Sequence, residues 1–186
     1  LKVNGKCAVV VPDNVLFEGG AGEIIRKKLL EQCDLHTMLR LPTGIFYAGG
    51  VKANVLFFDK KPAREDGKAW TEKIWIYDFR TNMHFTQKEK KLTRADLDEF
   101  VKCYNAADIS KRKEDTTDEK TRWKSYTYEK IVTFDKTSLD IFWLKDDSLI
   151  DLENLPEPDV IAQEISDNLE SALESVTELI ENLKSK

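Results

Sequence analysis

The chain has 186 residues, 41% hydrophobic and 34% charged, with a formal net charge of -5, enough for one moderate core and an appendage. No run approaches the roughly 18 apolar residues of a membrane helix, and Leu1-Lys2-Val3-Asn4-Gly5 lacks the charged-then-apolar pattern of a secretory signal; a cytoplasmic location is expected. Three single cysteines, Cys7, Cys33 and Cys103, fit neither a disulfide framework nor a zinc site and are expected to be reduced core residues. The charge is unevenly spread. Positions 146–186 hold 12 acidic and 2 basic residues, leaving 22 acidic and 27 basic for positions 1–145, a mildly basic body and a strongly acidic tail. A basic body suits a nearby phosphate backbone, whereas two solvated faces of unlike charge would look the same. The first residue is Leu and a strand follows almost at once, so the chain is expected to be a piece of a longer protein.

In chain order, Cys7-Ala8-Val9-Val10-Val11-Pro12 is a continuous β-branched run ended by proline, the pattern of a central strand buried on both faces. After the turn-like Asp13-Asn14 and the glycines Gly19, Gly20 and Gly22, residues 23–33 place Ile24, Ile25, Leu29 and Leu30 at helical spacing, predicting an amphipathic crossover helix. Residues 35–41 and 53–58 read as strands separated by the loop Pro42-Thr43-Gly44-Ile45-Phe46-Tyr47-Ala48-Gly49-Gly50. Strand, helix, strand, loop, strand is the closing half of an α/β sheet.

The charged link at 59–73 reads as an exposed loop, and Lys73-Ile74-Trp75-Ile76-Tyr77-Asp78-Phe79 as a further strand at the sheet edge. Thr93 with Asp96 three residues on forms an approximate capping box for a helix whose apolar face is Leu97, Phe100, Val101 and Tyr104. Residues 109–121 are almost entirely polar or charged and read as a mobile surface loop. Residues 123–143 regain aromatics around a short helix near 128–132, a small packing unit. Beyond Leu155-Pro156-Glu157-Pro158, Ile161, Ile165, Leu169, Ala172, Val176, Leu179 and Leu183 recur at spacings of four and three, the seam of a coiled coil. A helix of about 27 residues is about 40 Å long, more than a small body covers, so this seam calls for a partner unless it folds back on its own body.

Taken alone, the sequence lacks the parts of an active site. His36 and His84 stand apart, no glycine-rich phosphate loop follows a strand, and no metal-ligand spacing or activated nucleophile is recognisable. Catalytic residues and a metal site are therefore not expected in this chain.

Four segments nevertheless form a specific pattern: Ala8-Val9-Val10-Val11-Pro12-Asp13-Asn14-Val15-Leu16-Phe17, Ile25-Arg26-Lys27-Lys28-Leu29-Leu30, Leu41-Pro42-Thr43-Gly44-Ile45-Phe46 and Val51-Lys52-Ala53-Asn54-Val55-Leu56-Phe57-Phe58. In order and spacing they resemble the segment after the Asn-Pro-Pro-aromatic motif in methylation subunits of type I restriction-modification systems. The likeness is specific over roughly the first 60 residues and looser later, at Leu92-Thr93-Arg94-Ala95-Asp96-Leu97 and Tyr128-Glu129-Lys130-Ile131.

The resemblance implies the C-terminal half of a Rossmann-like methyltransferase sheet, mixed and with a β-hairpin, carrying a long C-terminal helical tail. The implied organisation is residues 1–105 as the C-terminal part of the catalytic domain, 106–122 as a mobile charged loop, 123–158 as a small packing segment and 159–186 as a coiled-coil-like helix. Such proteins transfer a methyl group from S-adenosylmethionine to the exocyclic amine of adenine after flipping the base out of the duplex. Their cofactor-binding and Asn-Pro-Pro-aromatic motifs have no match here, so the parent is expected to be an enzyme and this piece alone to be inactive.

The family's base-stacking aromatic corresponds to Phe46, with adjacent Tyr47 as second choice, and Arg40, Lys52 and Lys60 are candidate phosphate contacts. The implied partners are double-stranded DNA, a specificity subunit docked on the seam from Ile161 to Leu183, and a restriction subunit. The alternatives are a non-enzymatic helical interaction module and a solitary or bifunctional restriction-system adenine methyltransferase.

Overall fold

Five strands build a single mixed sheet. Its strands are β1 (Lys6–Pro12), β2 (Cys33–Arg40), β3 (Ala53–Lys60), β4 (Lys73–Asp78) and β5 (Trp123–Thr127), in the order β1-β3-β2-β4-β5. The structure is a computed structural model describing residues 1–47, 50–88, 90–114 and 121–146, with Ser166, Leu169, Leu173, Val176 and Thr177. β3 lies antiparallel between β1 and β2, β4 runs parallel to β2, and β5 is antiparallel to β4. β2 and β3 thus form the expected hairpin. Since β1 and β2 are both antiparallel to β3, they are parallel to each other, and α1 (Asn14–Phe17) with α2 (Ala21–Gln32) makes the crossover between them.

Leu35, Met38, Leu56, Ile74, Ile76 and Tyr126 pack under Leu16, Leu30 and Ile131 from α1, α2 and α4 (Tyr128–Val132). Leu39, Ala53, Tyr77 and Trp123 belong to a second, aromatic cluster with Phe100 of α3 (Asp98–Tyr104). A register shift between Leu35 and Thr37 lets Leu35 and Met38, three positions apart, join one cluster; strict alternation would send them to opposite faces. The buried Thr71 hydroxyl satisfies this bulge, accepting from the Leu35 amide at 2.8 Å and donating to the Cys33 carbonyl at 2.8 Å. All three cysteines are free; Cys33 is buried, Cys7 and Cys103 are half-buried.

Several expectations change. β1 is an edge strand, paired with β3 alone among the described residues, and its Val9 and Val10 are exposed. A β-branched run specifies an extended backbone, but burial depends on what lies beside it. β4 is interior, because Trp123-Lys124-Ser125-Tyr126-Thr127, read as packing only, adds β5 beyond it.

On α2 the expected apolar face is rotated: Ile24 and Ile25 are exposed, while Arg26 and Leu30 are buried. Arg26 can be buried because four carbonyls take its donors. Nη1 donates to Val15 at 2.8 Å, Nη2 to Glu18 and Lys136 at 2.7 Å each, and Nε to Thr137 at 3.2 Å. In the charged stretch, Ile109–Lys111 form a 3-10 turn and Arg112 is buried, so this part is not uniformly solvated. Thr93 and Asp96 do pair, Asp96 accepting from the Thr93 amide at 2.7 Å and from its hydroxyl at 2.6 Å, but the helical turn starts at Ala95 with Arg94 in the cap position and no side-chain cap bond.

Asp146–Lys186 forms a separate unit. Its described residues Ser166, Leu169, Leu173, Val176 and Thr177 are helical, and Leu169, Leu173 and Val176 are exposed. Of the expected seam, Ile161, Ile165, Ala172, Leu179 and Leu183 lie outside the described residues, as does the length of the helix.

Candidate functional site

The strand pairings gather Pro12, Ala53, Arg40, Asp78 and the start of β5 at one end of the sheet, and the β2–β3 loop projects from that end. Thr43 bridges His84 in parallel fashion, and Gly44 follows at φ 82°. A β-carbon on Gly44 would lie 1.7 Å from the Phe85 carbonyl oxygen, so only glycine allows this approach. Ile45 and Phe46 then pack, half-buried, against the aromatic cluster, while Tyr47 is 85% exposed.

The two ends of this loop are tied together by a side chain from elsewhere. Arg80, just after β4, donates from Nε to the Leu41 carbonyl at 2.9 Å and from Nη2 to the Ala53 carbonyl at 2.9 Å. The same guanidinium grips Asp13 in fork geometry, Nη1 to Oδ2 at 2.6 Å and Nη2 to Oδ1 at 2.9 Å. Buried Asn54 adds a 2.7 Å bond to Asp13 Oδ1, and the Asp13 amide donates to the Lys52 carbonyl at 3.2 Å. Burial alone would raise the Asp13 carboxyl, but the bonds from Arg80 and Asn54 outweigh it and hold the group below its ordinary range. Asp78 fixes Arg80 itself by accepting from the amides of Arg80 and Thr81, each at 2.8 Å, and from the Thr81 hydroxyl at 2.7 Å.

The expected phosphate contacts separate. Arg40 is fully buried and leaves that set: Nη2 donates to Asp140 Oδ1 at 2.8 Å, Nη1 to the Ile141 carbonyl at 2.7 Å, and the guanidinium lies 4.1 Å from the centre of the Phe142 ring. Burial lowers its pKa, opposed by Asp140, yet a guanidinium stays charged and needs this partner. Lys60 lies at the other end of β3, about 23 Å from Ala53 at about 3.3 Å per residue, and donates to Gln32 at 3.3 Å. Lys52 is exposed and borders the loop. Of the three cations, Lys52 alone shares the loop's end of the sheet with a free approach from solvent.

Sequence reading missed Asp13 as more than a turn residue, and missed Asn54, Asp78 and Arg80. Asp13 and Arg80 are 67 positions apart, and no local pattern pairs them. Among the described residues no three His, Cys, Asp or Glu come together as a metal-holding group, and no helix is long and apolar enough to cross a membrane.

Residues 1–144, which include all of this sheet and its loop, match the family model described as N-6 DNA Methylase. The chain belongs to the N-6 DNA methylase family. Among N-6 DNA methylases it is 43% identical to the type I restriction enzyme EcoKI methylase subunit of Escherichia coli strain K12, an alignment covering 98% of this chain and 39% of that protein. The type I StySJI methylase subunit of Salmonella typhimurium is 42% identical over the same shares. The crystal structure of the EcoKI M protein superposes with a TM-score of 0.68 and 40% identity, over 98% of this chain and 42% of that one. The resemblance to type I methylation subunits, read most clearly in the first 60 residues, thus extends over almost the whole chain. The chain spans about two fifths of the length of the curated relatives it matches.

Proposed function

We propose that this chain is part of a type I methylation subunit, an adenine-N6 DNA methyltransferase, and that it supplies the loop against which the extruded adenine stacks. The observation that carries this reading is the clamped β2–β3 loop, whose Phe46 is backed by the aromatic cluster, in a chain similar over 98% of its length to the EcoKI methylase subunit. An unstacked base regains on the order of 1 to 3 kcal/mol against an aromatic face. A ring braced from behind loses little freedom when a base lands on it, which favours Phe46; Tyr47, largely in solvent, would have to be ordered first. Lys52 is placed to meet a phosphate flanking the flipped base.

The family implies S-adenosylmethionine as the methyl donor, and we assign its site to the longer protein: at this end of the sheet the Asp13 carboxylate is engaged by Arg80 and Asn54, and that of Asp78 by Arg80 and Thr81, as parts of the loop clamp. Methyl transfer therefore belongs to the longer protein, and this chain by itself is inactive in this reading. Within the described residues, Leu169, Leu173 and Val176 put exposed apolar side chains at spacings of four and three on a helix, which supports docking on a helical specificity subunit, with the restriction subunit a further partner.

The test is transfer of tritiated methyl groups from S-adenosylmethionine to unmethylated DNA by three samples: this chain, the full-length subunit, and that subunit with its specificity subunit. Activity confined to the third supports the assignment. Activity in the full-length subunit alone points to a solitary methyltransferase, and activity in none returns weight to an interaction module. Leu169→Asp with Val176→Asp should abolish co-purification with the specificity subunit; unchanged assembly would sink the docking role.

A further inference from the structure

A pocket of about 450 Å³ opens beside α3 and shares Trp123 with the aromatic cluster. Its wall carries five cations, Lys102, Lys111, Arg112, Lys113 and Arg122, against one carboxylate, Glu99. Glu99 faces the buried Tyr77 hydroxyl, and Asp108 meets Lys111 at 3.1 Å, so among the described residues most of this positive charge is unmatched.

Arg112 is 8% exposed, and among the described residues no carboxylate is paired with it. Its guanidinium is fixed on three sides: Nε donates to the Tyr104 carbonyl at 2.8 Å, Nη1 donates to the Thr37 hydroxyl at 2.9 Å and the His36 carbonyl at 3.3 Å, and the Tyr104 ring centre is 4.6 Å away. Among the described residues Nη2 has no acceptor. Trp123, 4% exposed and also in the pocket wall, finds no acceptor for its indole Nε1–H among the described residues, and the Arg112 guanidinium lies 5.8 Å from its ring centre. Two neighbouring buried donors without an acceptor are an unusual pair, because nearly all such groups are satisfied in folded proteins. A water would meet their hydrogen-bonding need and leave the surplus charge; an oxyanion answers both.

We propose that this pocket binds a small phosphate-bearing anion, inorganic phosphate or the terminal group of a phosphate monoester. Arg112 Nη2 and Trp123 Nε1 donate to its oxygens, and Lys102 and Lys113 balance its charge at the mouth. The two donors are buried beneath the pocket wall, so an anion that meets them must be small, and a duplex phosphate flanked by its neighbours is excluded.

The experiment is calorimetric titration of the chain with sodium phosphate against sodium chloride of matched ionic strength. It is repeated with Trp123→Phe, which keeps the ring and removes only the donor, and with Lys102→Gln at the exposed rim. Saturable one-to-one phosphate binding is expected, weakened roughly tenfold in Trp123→Phe. Lys102→Gln should weaken it less and flatten its salt dependence; because that side chain is exposed, this variant reads the site even if Trp123→Phe does not fold. No saturable binding, or unchanged affinity in both variants with unchanged thermal unfolding, overturns the proposal. A competing duplex with hydroxyl termini should leave bound phosphate in place; displacement would reassign the pocket to the DNA backbone and overturn it as well.

Discussion

The two ends of the sheet carry similar residue types to opposite effect. At the loop end, Asp13, Arg40, Arg80 and Asp140 are buried or nearly so and bind each other and backbone carbonyls at 2.6 to 2.9 Å. At the far end, Lys6 meets Asp59 at 2.9 Å with the lysine 78% exposed, and Lys61 meets Asp34 at 3.8 Å. Exposed pairs are screened and worth little, whereas a buried cation tied to carbonyls specifies where a connection runs. Charge alone therefore does not distinguish the two ends; commitment of charge to loop backbone does.

The comparison can be broken at its strong end. Arg40→Met should cost about 3 to 5 kcal/mol in denaturant unfolding, since it strands Asp140 and the Ile141 carbonyl. A loss below about 1 kcal/mol would show that burial there contributes little. Arg80→Met should cost about 3 kcal/mol, somewhat less because Asp13 retains its Asn54 bond and some water. It should also raise amide exchange at Leu41 and Ala53, and unchanged exchange would contradict the clamp.

Between the two ends sits His36, whose pKa is lowered to about 4 by burial and then by Arg112. Its folded value lies below the unfolded one of about 6.5, so the unfolded chain binds more protons between them. Stability from this group is full above pH 6.5 and is lost as pH falls towards 4, by no more than about 3 kcal/mol. Subtracting the pH profile of His36→Gln from that of the native chain should isolate this slope; parallel profiles would refute it. The smallest effect belongs to the far end, where Lys6→Gln should change stability by less than about 0.5 kcal/mol.

What was legible in the sequence follows from the range of the forces involved. Strands β1 to β4, the α2 segment and the Thr93–Asp96 pair are written in neighbours a few positions apart, and they appear close to where they were read. The loop motif was legible too, and the Phe85 carbonyl packed against Gly44 explains its glycine. The edge position of β1 was not legible, since Val9-Val10-Val11 looks the same beside a neighbouring strand or beside solvent. Nor was the burial of Arg26, which depends on carbonyls of Lys136 and Thr137 more than a hundred positions away. The Arg80–Asp13 clamp and the Arg112 pocket share that character, so the residues that position the loop were invisible while the loop itself was not.

The most direct test is methyl transfer by the assembled enzyme carrying Phe46→Ala, compared with Tyr47→Ala and Lys60→Gln. Phe46→Ala is predicted to lower kcat/KM roughly tenfold or more, with the other two near the native rate. Native rates in both Phe46→Ala and Tyr47→Ala would contradict the placing of base recognition on this loop.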